Sequence, residues 1–552
     1  MAEGGPGSPP SASREVPVAP RWYDAVIMQG TLRTPSRSWP GAGWLGGLLV
    51  AASGVWVFHR ALNYFFSADD FPALARAAGL LPRLQGPWRL LSGQLYFDLL
   101  RPVAGLDPHG YHGASLLLHA ACSAALFVLL RRRLSTPAAL AGAAFFATHP
   151  SHYAAAYWVS AVGAPLALLA SLGALAATLQ AGRARWLAVP LFAAALLARE
   201  SVLLLPLAMW AALGGEPRLR SGRGAARTWR DPLLVTLAAL ALAMAACLAA
   251  TDVMGTRSGP GAYRLDFGSA LVANLASYLG WSANFLLPTV RRFQDAADPL
   301  AFGWGAGLLA LWLAGLASPG LRSRGWAAAG ALYLALLAPA LPLAHHTYHY
   351  YLYGPLAGLA WCVAAALDLL MERLRPGSGP AGPGGRARPS RRPTRGADTD
   401  LRAWALALGA VVLLTVNASL LVRKIETTPF PGSPALRADP TVDRALIARN
   451  AVEGLQGAAL PEHTRLLFWS PIGQSFAGSS GESYFERNVR TALFEGLAVR
   501  VFLPAVDSVR FVSAYRSMPA PYRYAVYRPD GTLRVASSAE LDSVLAGSTP
   551  AR

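Results

Sequence analysis

The chain has 552 residues, of which 54% are apolar and only 14% are charged, and its mean hydropathy is +0.34. This composition is too apolar for an ordinary soluble enzyme or binding module. The formal net charge of +19 is gathered in arginine-rich segments between apolar runs. That pattern is typical of cytoplasmic loops in membrane proteins and argues against nucleic-acid binding.

The first predicted elements are a tail, a membrane helix and a loop. Residues 1–41 are rich in proline, glycine and serine, which predicts a disordered tail, and their arginines place it in the cytoplasm. Residues 43–66 are long and apolar enough for an α-helix that crosses about 30 Å of hydrocarbon. The outer loop 67–110 is too polar to span, and the next apolar run, 111–130, ends at three consecutive arginines.

The later apolar runs are interpreted in the same way, because a backbone in lipid must satisfy its own hydrogen bonds and therefore forms helices. They are residues 137–149, 158–180, 186–198, 201–214, 232–251, 303–317, 326–343, 350–371 and 402–422. With the first two helices they give eleven crossings. The predicted transmembrane domain thus covers residues 42–422 and includes a basic cytoplasmic loop at 373–401.

Segment 269–288 decides the orientation of everything that follows it. If it crossed the membrane, the later arginine-rich loops would lie outside, against the positive-inside rule. Its asparagine and serine residues instead suit the outer interface. We therefore expect a multi-pass protein, of a bacterial inner (plasma) membrane, with a cytoplasmic N-terminus and an extracytoplasmic C-terminal domain at 423–552.

The C-terminal domain is predicted to be a small α/β domain. TVDRALIARNAVEGL and ESYFERNVRTALFEGL have helical periodicity, whereas RLLFWS, VRVFL, SVRFVSAY, YRYAVYR and TLRVA are typical of strands. The sequence contains no tetratricopeptide pattern.

Cysteine and histidine patterns do not predict a firm metal site. The three cysteines lie far apart inside apolar runs, as small core residues do. His345, His346 and His349 follow a predicted helix end, and they could hold a metal, bind phosphate or acceptor, or sit at the interface. No carboxylate or cysteine stands near them. No cofactor is therefore predicted, with a divalent metal as the less favoured alternative.

Two adjacent carboxylates, Asp69 and Asp70, stand just beyond the first membrane helix. They have two interpretations. Charged residues commonly mark the solvated end of a membrane segment. A catalytic general base at the membrane face would also be placed here, with one carboxylate accepting a proton and the other supporting it.

Five segments in order carry a family resemblance: GPWRLLSGQLYFDLL, GLDPHGYHGASLLLHAACSAALF, FFATHPSHYAAAYWVS, LLARESVLLLPL and YYLYGPLAG. This order and spacing, over about residues 60–375, resembles the transmembrane-and-TPR O-mannosyltransferases and their bacterial relatives. These are polytopic glycosyltransferases of the GT-C superfamily. The resemblance does not reach the C-terminal domain, which stands where tetratricopeptide repeats would be.

The resemblance implies transfer of a monosaccharide, mannose in the family, from a polyprenyl phosphate to a hydroxyl on the outer face, with inversion. It implies that Asp69 and Asp70 are catalytic, with Asp69 the better candidate for the base. The other positions that match family motifs, and so are implied to bind substrate, are Arg89, His112, His149, His152, Arg199 and Glu200. His349 is a further candidate for substrate binding, because of its place near the outer face. Arg199 and Glu200 could equally form a structural ion pair at a helix break.

Several charged family positions are replaced in this chain. The residues at these positions are Ala154, Val162, Ala164, His349 and Tyr350. The positive charge for a lipid phosphate could come from elsewhere, and Arg291 and Arg292 are candidates on the predicted outer face. An outer-interface arginine pair could also simply anchor to lipid.

Two other functional classes stay open. A polytopic lipid transporter or flippase would need charges in the middle of its helices, and this chain has few. A non-catalytic GT-C-like scaffold would explain the replaced charges. The acceptor, which could be a protein, a glycan or a lipid, is not encoded in any pattern that we recognise.

Overall fold

The structure, a computed structural model, describes residues 42–214, 230–252, 264–283, 299–344, 346–374, 400–430, 433–469, 484–512, 515–528 and 531–547. Four features of the sequence analysis lie outside these ranges. They are the tail 1–41, His345, the pair Arg291 and Arg292, and most of the basic loop 373–401.

Helices dominate the described chain. The α-helices are Ala42–Phe58, Asp70–Ala77, Tyr96–Ala104, Pro108–Arg131, Thr136–Thr148, Tyr153–Tyr157, Gly163–Thr178, Ala188–Ala198, Leu205–Gly214, Pro232–Thr251, Ser269–Ala283, Pro299–Ala317, Pro319–Ser323, Trp326–Leu337, Pro355–Arg373, Leu401–Thr427, Pro440–Gly457, Tyr484–Ala492, Leu497–Phe502 and Ser538–Gly547. The strands are Pro429–Phe430, Ser433–Arg437, Thr464–Trp469, Val506–Val512, Tyr522–Tyr527 and Leu533–Ala536.

Within the described residues, six helices are long and apolar enough to cross a membrane. They are Gly43–Asn63, Pro108–Arg131, Val159–Thr178, Pro232–Thr251, Pro355–Arg373 and Leu401–Thr427. Four shorter apolar helices accompany them: Thr136–Thr148, Glu200–Gly214, Gly303–Ala317 and Trp326–Ala340. The chain is therefore a polytopic α-helical membrane protein, whereas the count of eleven crossings stays a prediction.

Arginines from separate loops meet at one end of the helices. Arg324 donates from Nε to the carboxylate of Asp368 at 2.8 Å, and the backbone N–H of Ser135 donates to the same carboxylate at 3.0 Å. Arg133 donates to the carbonyl of Ala212 at 3.1 Å and lies over the ring of Trp361. These contacts tie together the ends of helices that the sequence assigns to the same side.

The helix Ser269–Ala283 uses its polar residues inside the protein. Asn274 is buried, and its amide donates to the carbonyls of Leu341 and Leu343, both at 2.9 Å. The hydroxyl of Thr347 donates to Asn274 at 2.7 Å, and Ser282 is buried. The polar residues that suggested an interfacial segment thus satisfy buried backbone carbonyls, which a sequence pattern does not distinguish from exposure to headgroups.

The C-terminal region contains a four-stranded sheet. Thr464–Trp469 is central and pairs in parallel with Val506–Val512 on one side and Tyr522–Tyr527 on the other. Leu533–Ala536 adds an antiparallel edge strand. The helix Pro440–Gly457 packs against that edge strand.

One predicted strand of this region is wrong. VRVFL, interpreted as a strand, belongs to the helix Leu497–Phe502. Ala498 and Val499 are fully buried, and the amide of Leu503 donates to the carbonyl of Val499 at 2.7 Å. Tertiary packing of one helical face has overridden the β-propensity of the valines.

The helix Leu497–Phe502 docks on the first outer loop. The ring of Phe502 lies 5.3 Å from that of Phe65, 6.3 Å from Phe66 and 6.4 Å from Phe71, measured between centroids. Close by, the amide of Ala68 donates to the carbonyl of Ala492 at 2.9 Å. The C-terminal region therefore holds the segment that carries the two aspartates.

Candidate active site

The carboxylate of Asp70 is buried and held by two backbone amides. Its side chain is buried, with Oδ2 accepting from the amide of Ser67 at 2.9 Å and Oδ1 accepting from the amide of Ser160 at 2.6 Å. Burial raises the pKa of Asp70 to about 7, although these hydrogen bonds act in the opposite direction. Asp70 therefore joins the outer loop to the start of the helix Val159–Thr178.

Asp69 is placed quite differently from its neighbour. The residue is exposed and its carboxylate caps no backbone amide of the helix Asp70–Ala77. The protein atoms packed around that carboxylate nevertheless raise its pKa, and the guanidinium groups of Arg89, Arg444 and Arg76 lower it. Asp69 is thus the accessible carboxylate of the pair, which suits a general base.

Strained backbone flanks Asp69. Ala68 has φ +48° and Arg89 has φ +49°, in the left-handed region that residues with a Cβ rarely adopt. Such residues persist only where the surrounding structure fixes them, and they concentrate at functional sites. The hydrogen bond from Ala68 to Ala492 supplies that constraint for the aspartate segment.

Arg89 and Glu200 form a two-point ion pair. Nη2 of Arg89 lies 2.6 Å from Oε1 of Glu200, and Nε lies 3.1 Å from Oε2. The side chains are 27% and 10% exposed, so the pair is poorly screened by water. Glu200 is therefore paired with Arg89 of the outer loop. The adjacent Arg199 makes its own contacts elsewhere.

Arg199 lies over two tyrosine rings. Its Cζ atom is 4.8 Å from the ring centre of Tyr350 and 5.0 Å from that of Tyr351, and the residue is buried. Its backbone is extended (φ −163°, ψ 135°), which separates the helix Ala188–Ala198 from the next helical segment. This break turns the guanidinium of Arg199 towards a cavity.

That cavity is small, with room for about one water molecule between the side chains. It is lined mainly by apolar side chains from four separated parts of the chain, together with one cation and a few hydroxyl groups. The lining residues are Ala164, Ala167, Leu168, Arg199, Ser201, Val202, Leu336, Tyr350, Tyr351, Gly354 and Pro355. A buried cation among mainly apolar side chains suits an anionic group of a ligand, such as a phosphate.

The predicted histidines lie in packed surroundings. Nδ1 of buried His112 is 3.1 Å from the carbonyl of Ala156, and Nε2 of His149 is 3.2 Å from that of Ser282. His152 is buried between aromatic rings, and His349 stacks on Trp281 at 4.1 Å. Within the described part of the chain, no three His, Cys, Asp or Glu side chains gather as metal ligands would.

Three further residues lie near the charged groups: His346, which the sequence offered as a possible ligand, and two arginines that it did not mark. Nε2 of His346 lies 2.8 Å from the hydroxyl of Tyr350, and burial lowers the pKa of His346 to about 4, with Arg89 and Arg199 acting in the same direction. Arg76 and Arg444 lie near Asp69. The aromatic tract after residue 345 was a signal for His346, but no local pattern marks the two arginines.

No protein-family model matches the chain, and no curated protein matches it. Among solved structures, the chain is similar to the crystal structure of ArnT from Cupriavidus metallidurans bound to undecaprenyl phosphate. The TM-score is 0.46 at 12% sequence identity, over 92% of this chain and 95% of that chain. This likeness is too distant to assign a family or an activity.

Proposed function

We propose that this protein is a GT-C glycosyltransferase that moves a monosaccharide from a polyprenyl-phosphate donor to a hydroxyl acceptor on the outer face of the membrane. One observation carries the proposal. Asp69 and Arg89 of the outer loop and the distant Arg199–Glu200 dipeptide come together in space, from an exposed carboxylate to a buried cation. Mannose is the sugar that the sequence resemblance suggests.

The buried guanidinium of Arg199 supplies a place for the charge of the donor phosphate. The isoprenoid tail would stay in the bilayer, because its transfer into water would cost about 0.8 kcal/mol per CH₂ group. The guanidinium of Arg199, buried at the cavity wall, would face the phosphate. Because the low-dielectric surroundings strengthen charge interactions, Arg199 would stabilise the leaving phosphate more than an exposed arginine could.

Asp69 then acts as the general base. It accepts the proton of the acceptor hydroxyl as that oxygen forms a bond to the anomeric carbon of the sugar. The bond from the anomeric carbon to the phosphate oxygen breaks, and the polyprenyl phosphate leaves with the electron pair, so the anomeric configuration inverts. Arg89, held by Glu200, stabilises the ionised form of Asp69.

Asp70 has a positioning role in this mechanism. Its bonds to the amides of Ser67 and Ser160 fix the segment that carries Asp69. His112, His149, His152 and His349 pack the helices beneath this segment, and we propose that they shape the site without touching the reacting atoms. Arg291 and Arg292 remain candidates for the lipid phosphate.

The test is release of lipid phosphate from labelled donors. Full-length protein is incubated with a panel of labelled polyprenyl-phosphate sugars, including the mannose form, in parallel with D69N and D98N. Asp98 is a matched control because it lies in the same outer loop and pairs with exposed Arg83. We expect release by wild type and D98N and a loss of at least about 100-fold in D69N. No release from any donor would favour a scaffold, and donor movement across vesicles that survives D69N would favour a transporter.

A further inference from the structure

Arg76 is an arginine of the site that the mechanism does not use. It lies seven residues after Asp69, two turns along the helix Asp70–Ala77, so the two side chains share a face. Its Nε atom is buried and has no hydrogen-bond partner among the described residues. Leaving a buried guanidinium N–H without a partner is costly, which points to a ligand.

Arg444 reaches the same place from the C-terminal region. It lies in the helix Pro440–Gly457, whose first turn is capped by Asp439 through the amides of Thr441 and Val442. That helix is fixed beside the outer loop, because Arg449 donates to the carbonyl of Asn63 and Tyr153 donates to Asp439. Nε of Arg444 is also buried without a partner in the described part of the chain.

Two carboxylates face these arginines, because Asp69 acts with both of them and Asp443 acts with Arg444. Arg89 is paired with Glu200, and Asp70 accepts from two backbone amides. None of the ion pairs between described residues includes Asp69, Arg76 or Arg444. The buried Nε groups of both arginines are therefore left for a ligand to satisfy.

We infer that Arg76 and Arg444 form an anion subsite beside Asp69 that binds a phosphate or carboxylate group of the acceptor. The inference rests on the proposed function, since it assigns the subsite to the acceptor. The donor phosphate is already accounted for by Arg199 at the apolar cavity. Arg76 and Arg444 instead lie outside the six helices that could cross a membrane, where a polar acceptor would approach. Two guanidinium groups match the geometry of a tetrahedral or planar oxyanion.

Binding without a donor tests the subsite independently of turnover. Isothermal titration calorimetry measures sn-glycerol 3-phosphate and uncharged glycerol against the full-length protein in detergent. We expect the phosphate to bind at least tenfold more tightly than glycerol. R444Q and R76Q should each lose that preference by about tenfold, and R444K should lose less. R465Q removes an exposed arginine of the same C-terminal region, so its binding should match wild type.

The D69N variant should give a binding result that is not expected if Arg76 and Arg444 have only a structural role. D69N removes the negative charge beside the subsite, so it should bind sn-glycerol 3-phosphate several-fold more tightly while its donor release is lost. Equal binding of phosphate and glycerol by wild type, or unchanged binding in R444Q and R76Q, would overturn the inference. If the phosphate binds as expected but wild type releases no donor phosphate, the subsite stands and the proposed function fails.

Repeating the titration in nanodiscs distinguishes a lipid headgroup from a soluble or protein-borne anion as the natural ligand. One set contains phosphatidylcholine alone and the other contains phosphatidylcholine with phosphatidylglycerol. If a lipid headgroup is the natural ligand, phosphatidylglycerol will weaken sn-glycerol 3-phosphate binding in wild type at least tenfold. Equal binding in both sets assigns the subsite to the anion of a soluble or protein-borne acceptor. Either result supports the subsite only when R444Q shows no such binding.

Discussion

At the scale of single residues, two neighbouring carboxylates of identical chemistry receive different tasks from their surroundings. Asp70 is enclosed and bonded to two amides, whereas Asp69 is exposed among arginines. The sequence could identify the pair because it stands at the end of a membrane helix. It could not divide the roles, since Ser160, which holds Asp70, lies 90 residues away.

The division of roles predicts opposite phenotypes for D69N and D70N. D69N should lose transfer but keep its melting temperature, because no hydrogen bond from Asp69 caps the helix. D70N should lose one of the two amide bonds and be destabilised by about 1–3 kcal/mol. Thermal unfolding and donor turnover, measured on both variants, check this. A D70N protein as stable as wild type at about pH 5, where Asp70 is protonated in the folded state, would contradict the structural role of Asp70.

The pKa of Asp70 predicts how stability depends on pH. With a pKa near 7 in the folded protein and an ordinary value near 3.8 in the unfolded chain, the folded state binds the extra proton between these limits. Its contribution to stability is full below about pH 4 and is lost as the pH rises through 7. The difference in melting temperature between wild type and D70N should therefore shrink from pH 4.5 to pH 8. A difference that grows with pH would refute this assignment.

The Arg89–Glu200 pair predicts strong coupling. R89Q or E200Q alone should lose most transfer activity and be destabilised, because each leaves a poorly solvated partner charge. The double variant should be destabilised by less than the sum of the two, with a coupling energy of about 1–3 kcal/mol. Denaturant unfolding of the three variants and wild type measures this. Strictly additive losses would show that the two side chains act independently.

At the scale of elements, hydrophobic length predicted the long helices, and their positions follow the sequence closely. One element, VRVFL, was wrongly predicted, and the interfacial place of segment 269–288 stays a prediction, although both have contacts that local sequence does not show. VRVFL and segment 269–288 take their form from partners distant in sequence, namely the outer-loop phenylalanines and the buried carbonyls after residue 340. Local propensity carries no information about such partners.

The docking of the helix Leu497–Phe502 on the outer loop predicts that the C-terminal region supports catalysis. F502A removes the ring that contacts Phe65, Phe66 and Phe71, so it should loosen the aspartate segment. We expect a loss of about 1–3 kcal/mol in stability and a clear fall in transfer rate. F494A, which truncates a partly exposed phenylalanine nearby, should change both far less. Equal effects in the two variants would argue against a specific docking contact.

At the scale of the whole molecule, the chain separates two kinds of charge. Arginines of the short loops meet around Asp368 at one end of the helices. The cluster of Asp69, Arg89, Glu200 and Arg199 lies at the opposite end of these helices. The positive-inside rule assigns the arginine-rich end to the cytoplasm, and that orientation stays a prediction. The spatial order of the cluster came only from the fold.

The most direct measurement is therefore of sidedness in intact cells. The three native cysteines are replaced by alanine, and single cysteines are introduced as L80C beside the outer-loop site, E462C in the C-terminal region and S323C at the arginine-rich end, all exposed positions. A membrane-impermeant maleimide should label L80C and E462C from outside, and S323C only after permeabilisation. Labelling of S323C from outside, with L80C protected, would place the carboxylate in the cytoplasm and contradict outer-face transfer.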